Sequence, residues 1–395
     1  MNSGQTVFAQ LLQFISHNDF YRFVHRYNGD RRIRNLSCWE QFLALAFAQL
    51  SRRESLRDIE VSLAAHRRNL YHSGFRSPVK KSTLADANEN RDWRIYSDFA
   101  QHLIQQARLL YKDLDLGLDL DGTLYALDSS IIDLSLTLFP WAPHQRSRAA
   151  VKLNTLLDVQ SAIPTLIDIT GAHSGDSQIL DRIVPEPGCF IVMDRGYVDF
   201  PRLYRLHQAL AYFVLRAKHN LQFRRRRSHS IDRTTGVRSD QTIVLSGKYT
   251  AGTFPALLRR VTFYAADIDQ RFVFLTNNFQ IPSPTVAAIY HQRWQIELFF
   301  KWIKQHLRIK RFFGTSPNAV KTQIWTAMAT YALIAIVKKR LGLQHSLYTI
   351  LQILSTALFE KTPVQLVFQR YDNEIANRVT SNPYFSKIFV KNRAS

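Results

Sequence analysis

The chain has 395 residues, 46% hydrophobic and 12% aromatic, with only 14 Gly and 13 Pro. That composition excludes a disordered or low-complexity tail and leaves room for two or three domains of about 150 residues each. Lys and Arg number 52 against 31 Asp and Glu, a formal net charge of +21, which on so apolar a chain points to a polyanionic partner: nucleic acid, or less often an acidic membrane surface. Two cysteines, Cys38 and Cys189, cannot build a disulfide framework and suit a reducing compartment. The N-terminus has no basic segment leading into an apolar one, as a secretory signal would. The longest apolar stretch, Ile324 to Val337, falls short of the ~20 residues that span a bilayer. The expectation is a soluble cytoplasmic or nucleoid protein, with no membrane partner.

In chain order, residues 7 to 111 carry apolar residues at helical spacing, as in Phe8, Leu11, Leu12, Ile15 and Ile95, Phe99, Leu103, interleaved with Arg31-Arg32, Arg52-Arg53, Arg67-Arg68 and Lys80-Lys81. A basic helical DNA-binding domain over 1–112 is the reading, although basic residues are common on any solvated helix face. The texture then turns to β. Leu124 to Ile132 predicts a strand running on to Leu134, and Val151 to Ile169 a pair of strands turning near Ala162 to Pro164. Gly175-Asp176 opens a short helix that Asp176 is expected to cap. Cys189 to Met193, apolar throughout, predicts a strand buried on both faces, followed by a helix over 200–209 and a strand over 211–215. This is a mixed α+β (α/β) layer, a core whose first part is 113–220. Residues 221–283 form a β-rich insertion that begins near a run of four arginines, Arg224 to Arg227, and contains strands at 241–245, 260–265 and 271–276. From Pro284 onward the pattern is helical, with amphipathic segments at 286–307, 318–340 and 346–359. The core's second part is taken as 284–340 and a C-terminal helical region as 341–395.

Asp128 follows the apolar run Leu124 to Leu127 and Asp194 follows Cys189 to Met193. Two carboxylates at neighbouring strand ends repel each other, and a hard divalent cation relieves that repulsion. An Asp at a strand end is also an ordinary turn residue. Tyr290, Arg293, Glu297 and Lys304 are spaced three, four and seven apart. At about 100° per residue they occupy a stripe about 60° wide on one helix face, extended by Lys301, with Ile296, Phe299, Phe300, Ile303 and Leu307 on the core side. Such a face can bring a third carboxylate to a metal site while cations hold phosphates beside it; the plainer alternative is an exposed ion pair between Arg293 and Glu297. Trp294, Leu298 and Trp302 form a stripe that suits core or interface. Asp133 should face away from Asp128 by strand alternation.

Leu-Asp-Ser-Ser at 127–130, Met-Asp-Arg-Gly-Tyr at 193–197 and the Tyr-(2)-Arg-(3)-Glu-(6)-Lys signature at 290–304 resemble the DDE transposases of the insertion sequence 4 family. The resemblance covers roughly residues 120–315. It implies a ribonuclease-H-like catalytic core interrupted by a β-rich insertion, with Asp128, Asp194 and Glu297 as the catalytic acids. These would bind two divalent ions, Mg²⁺ by preference with Mn²⁺ as a substitute, for an in-line displacement at the phosphodiester. Tyr290, Arg293, Lys301, Lys304 and Arg195 would contact DNA. The partners implied are double-stranded DNA, as terminal inverted repeats and as target, and a second copy of the chain in a bacterial synaptic dimer to which the C-terminal helices contribute. The route implied is cut-and-paste through a hairpin. In relatives a Trp of the insertion stacks on a flipped base; residues 221–283 contain no Trp, and although the ring of Phe272 or Phe274 has a face that can stack, no such role is assigned to either. Two other readings are a nuclease on the same core without strand transfer and a DNA-binding protein that has lost activity.

Overall fold

In a computed structural model the described residues are 4–112, 114, 117–145, 148–306 and 312–381. They group into two units, Met1–Leu110 with Trp302–Ser395, and Tyr111–Lys301. The five segments expected from the sequence therefore assemble as a helical unit drawn from both chain ends and a sheet unit between them.

The helical unit contains α1 (Val7–Leu12), α2 (His17–Arg26), α3 (Cys38–Leu50), α4 (Leu56–Ala65), α5 (Arg67–Leu70), α6 (Lys81–Asn90) and α7 (Arg94–Tyr111). Ser37 caps α3 through a reciprocal capping box with Glu40, and α3 is so apolar that every one of its residues is buried. The chain ends meet here: the amides of Val7 and Phe8 donate to the carbonyls of Glu360 and Leu358, and the Gln10 side-chain amide donates to the Thr362 carbonyl at 2.8 Å. Residues beyond 381, part of the expected C-terminal region, lie outside the described residues, as does Leu307.

The sheet unit contains β1 (Leu124–Ser135), β2 (Pro143–Gln145), β3 (Arg148–Asp158), β4 (Ile163–Gly171), β5 (Phe190–Met193), α8 (Phe200–Gln208) and β6 (Tyr212–Arg216). The insertion follows as β7 (Phe223–Ser228), β8 (Val237–Leu245), β9 (Leu258–Ala265) and β10 (Gln270–Thr276), and then α9 (Ser283–Gln292). The chain returns to the helical unit along α10 (Trp294–His306), followed by α11 (Pro317–Arg340), α12 (Leu347–Ala357) and α13 (Val364–Ser381).

The core strands lie in the order β4-β3-β1-β5-β6. β3 is antiparallel to β1 and to β4, whereas β1, β5 and β6 run parallel. This is the strand arrangement of a ribonuclease-H-like core. The insertion does not form a separate layer; β10 pairs with β6, and β9, β8 and β7 continue the same sheet outward. A buried bidentate pair, Arg259 to Asp240 at 2.6 and 3.0 Å, joins β9 to β8.

One face of the sheet, through Leu127, Ile191, Met193, Phe213 and Leu215, packs on Phe200, Leu203 and Leu206 of α8. Alternation turns Leu124, Ala126, Phe190 and Val192 to the other face, where α9 packs against β5 and β6. At the opposite end of the strands a Cβ on Gly122 would meet the Gly188 carbonyl oxygen at 2.1 Å, so only glycine lets the entries to β1 and β5 approach this closely.

Several expectations are corrected. Asp176 begins a 3-10 helix (Asp176–Arg182) but its side chain makes no capping hydrogen bond; it accepts from other partners, described below. The arginine run is itself the edge strand β7, which four consecutive cations concealed from any apolar alternation. The segment 286–307 is two helices with Arg293 between them, still in αR conformation and bridged by i to i−3 hydrogen bonds. α11 is long and apolar enough, at mean hydropathy 1.3, to cross a membrane, yet 94% of its apolar window is buried. Thr322, Thr326 and Thr330 are among its buried residues, and it packs on α3, α6 and α12 as a core helix. Both cysteines are free and buried, and burial pushes the Cys189 thiol up to about 11.

Candidate active site

The parallel register pairs Leu124 with Phe190 and Leu127 with Met193. One residue beyond the last parallel pair stand Asp128 and Asp194, on the same face; Asp194 follows the end of β5 as expected, whereas Asp128 lies within β1, which runs on to Ser135 paired with β3. That face receives α9, whose Tyr290 hydroxyl donates to Asp194 Oδ1 at 3.1 Å. Arg293, at the joint between α9 and α10, bridges the remaining acids: one guanidinium nitrogen lies 3.4 Å from Asp128 Oδ2 and another 2.7 Å from Glu297 Oε1. Tyr290, Arg293 and Glu297 thus remain on one face through the joint, each engaged with or beside an acid of the sheet. The plain alternative, an isolated exposed Arg293–Glu297 pair, is set aside because the Arg293 side chain is only 18% exposed and also holds Asp128.

Burial pushes the Asp128 carboxyl up to about 6; the Ser129 amide and Arg293 pull it down, and the charges of Glu297 and Asp194 push it further up. Burial likewise raises the Tyr290 hydroxyl, with Asp194 adding to the rise. For Arg293 burial works against the charge, but Tyr290, Glu297 and Asp128 leave the guanidinium raised. Among the described residues the buried Nε of Arg293 has no hydrogen-bond partner.

Three carboxylates, two of which raise the proton affinity of Asp128, suit a hard cation rather than a soft one. Among the described residues no three His, Cys, Asp or Glu side chains are already gathered tightly enough to hold one; the guanidinium of Arg293 stands between two of the acids and neutralises them.

The other expected site residues fall as follows. Arg195 is exposed in the 3-10 turn (Arg195–Tyr197) directly after Asp194. Lys301 is exposed on α10, and Lys304, on the same helix, belongs to the helical unit. Phe274 is 2% exposed and lies against Tyr290 at 4.8 Å between centroids, so its faces are occupied. Phe272 is half-buried, stacked on Phe274 and covered by Arg216 at 5.1 Å. Trp294 and Leu298, expected in a core or an interface, are 55% and 43% exposed. Asp133 is exposed, an odd number of residues from Asp128 and so on the opposite face.

Sequence reasoning missed the residues behind the site. The Ser129 amide donates to Asp128 Oδ1 at 2.8 Å, while the Ser129 hydroxyl donates to Asp176 Oδ1 at 3.1 Å. Lys152 donates to the same Asp176 oxygen at 2.9 Å and to the Ser174 carbonyl. The signal in the sequence was polar Lys152 and Asn154 alternating inside the apolar run of β3; without the register their partners could not be named.

Comparison with known proteins gives the family. The family described as Transposase DDE domain matches residues 119–333, and a domain of unknown function (DUF4372) matches residues 3–76. A Sinorhizobium fredii protein named as a transposase is 33% identical over 72% of this chain and 79% of its own. A Geobacillus stearothermophilus protein named as a transposase for insertion sequence element IS5377 is 29% identical over 53% of this chain and 55% of its own. A Synechocystis protein named as a transposase for insertion sequence element IS4SA is 26% identical over 65% and 71%. A solved synaptic complex of the piggyBac transposase with hairpin DNA covers 94% of this chain and 84% of its own at 10% identity and a TM-score of 0.48, a likeness too slight to carry an argument. The family match over more than half the chain and the Sinorhizobium relative together establish that this chain belongs to the DDE transposases, and that it is a DNA-cleaving insertion-sequence enzyme of the divalent-metal-using kind.

Proposed function

We propose that Asp128, Asp194 and Glu297 are the catalytic acids, that they hold two divalent ions, magnesium in preference to manganese, and that the enzyme excises its element by the cut-and-paste route of the insertion sequence 4 group. The observation that carries this reading is the meeting of Asp128, within β1, and Asp194, just past the end of β5, with Tyr290, Arg293 and Glu297 from a distant stretch of chain. When bound, the ions would supply activation of the attacking oxygen and charge neutralisation at the leaving one.

The protein's own part follows from its contacts. The strand register fixes where the first two carboxylates stand. Tyr290 orients Asp194 by its hydrogen bond, and packing against Phe274 holds the Tyr290 ring. Arg293 keeps Asp128 and Glu297 together and carries a cation that a DNA phosphate can take over by paired N–H donation. Arg195, Lys301 and Lys304 supply further phosphate contacts. The basic helical unit is assigned to the terminal inverted repeats, and the β7 edge with its four arginines to a more distant part of the same duplex. Two copies bring two ends together in a synaptic dimer, working on cytoplasmic, nucleoid DNA.

The test is Asp194→Ala assayed with magnesium on element-end DNA. Cleavage should be lost while end binding survives, because the phosphate-contacting cations remain; undiminished cleavage would remove the three-acid assignment. Hairpin formation on the excised end is read on the same gel, and its absence during productive excision would remove the hairpin route.

A further inference from the structure

On the sheet face opposite Asp128 lies a polar cluster inside an otherwise apolar layer. The register places Ser129 across from Asn154, and Ile131 across from Lys152, so Ser129 and Lys152 share a face. The Lys152 side chain is 8% exposed, and its ammonium is neutralised by Asp176. Asp176, the first residue of the 3-10 helix after β4, receives on one oxygen both the Lys152 ammonium and the Ser129 hydroxyl. Its other oxygen faces Gly196, where a Cβ would lie 3.5 Å away, in the turn that follows Asp194.

Ser129 links this cluster to the site. Its hydroxyl points backward to Asp176, and its backbone amide points forward to Asp128. Beyond Asp128 the strand loses the burial that fixes Leu124 to Leu127, so apolar packing alone does not fix the plane of this peptide. A hydroxyl held by a carboxylate, itself held by a buried ammonium, supplies a fixed point. An isolated buried lysine is costly to retain, and here it links β3, the 3-10 helix that Asp176 begins and, through Ser129, the middle of β1.

We propose that Lys152, Asp176 and Ser129 are positioning residues that set the orientation of the Asp128 carboxylate from behind the sheet. They touch neither DNA nor ion; their effect reaches the reaction through the Ser129 amide. The inference rests on the assignment of Asp128 as a catalytic acid.

The experiment uses the full-length transposase, element-end DNA and Mg²⁺, with Ser129→Ala, Ser129→Thr, Asp176→Asn and Asp128→Ala compared. Single-turnover cleavage at saturating DNA, DNA affinity, the Mg²⁺ concentration for half-maximal cleavage and the melting-temperature shift produced by Mg²⁺ alone are measured for each. Ser129→Ala and Asp176→Asn should slow cleavage about 10-fold or more and raise the Mg²⁺ requirement. Their DNA affinity should stay within about 2-fold, since no phosphate contact is removed. Ser129→Thr, which keeps the hydroxyl, should restore most of the loss. If Asp176→Asn does not fold because Lys152 is left without its counter-charge, Lys152→Met/Asp176→Asn removes both charges and is read in its place. Wild-type rate and Mg²⁺ dependence in Ser129→Ala, or a rate loss that only follows a loss of melting temperature, would overturn the proposal. Full cleavage by Asp128→Ala would instead overturn the active-site assignment beneath it.

Discussion

The Tyr290 hydroxyl donates to Asp194 at 3.1 Å while its ring lies 4.8 Å from that of Phe274, centroid to centroid. The two contacts separate cleanly by mutation. Tyr290→Phe keeps the ring and removes one hydrogen bond to a carboxylate, worth about 1.5 kcal/mol. Cleavage should fall about 10-fold, as that energy converts to rate, with little change in melting temperature; single-turnover cleavage and a thermal melt check both.

The pH dependence follows from Asp128, whose carboxyl is pushed up to about 6 chiefly by burial. A proton and a divalent cation compete for that carboxylate, so the Mg²⁺ concentration for half-maximal cleavage should climb as pH falls through about 6. Titrations of Mg²⁺ between pH 5 and 7.5 measure this, on the order of the 1-unit steps over which one carboxyl titrates. A constant Mg²⁺ requirement over that range would contradict the assignment.

The same carboxyl carries a stability consequence with the opposite sense to an ordinary surface aspartate. Folded, it holds its proton to about 6; unfolded, it releases it near 3.9. Native protein therefore binds the extra proton between those values, and the stability present at low pH is lost as pH rises through about 6, a cost of at most about 3 kcal/mol in the metal-free state. Asp128→Asn should be more stable than the native chain at pH 7.5 by about 1–3 kcal/mol, with the advantage disappearing toward pH 4. Denaturant unfolding at the two pH values, without divalent ions, is the measurement.

Arg224 to Arg227 lie exposed along β7, the outermost strand of the sheet, and none of the ion pairs resolved among the described residues involves them. Replacing all four by Gln should leave stability within about 0.5 kcal/mol. The slope of log affinity against log salt on end DNA should become shallower by up to about 3.6, at about 0.9 per phosphate contact released. Fluorescence anisotropy over a salt series decides it, and an unchanged slope would place the duplex elsewhere.

Much of the sheet was legible because its strands are either continuously apolar, as in Cys189 to Met193, or alternating. The spacing of Tyr290, Arg293 and Glu297 likewise put three side chains on one face, and that face lies beside Asp128 and Asp194. What sequence concealed was of two kinds. β7 and the short β2 have no apolar pattern, since an edge strand's residues face water. Lys152, Asp176 and Ser129 meet only through the β1–β3 register and a turn, and no linear spacing encodes a partner on another strand. The break at Arg293 was also invisible, because a residue that stays in αR leaves the helical periodicity intact.

The Leu124-to-Leu127 and Phe190-to-Met193 pairing has a consequence for how the gene can vary. The two strands act as matched rulers whose shared graduations stop one residue before the acids. One residue inserted or deleted within β5 would turn Asp194 to the α8 side of the sheet, leaving a protein that folds with its acids back to back. The exposed hairpin turns of the insertion carry no such constraint on length, whereas the stretch between β4 and β5 supplies Asp176 and the buried Ile179 and Leu180. Natural length changes should therefore collect in those turns, and a library of single-codon deletions scored for excision should show a sharp dead zone over 189–194 beside tolerant ground at the largely exposed residues 248–252.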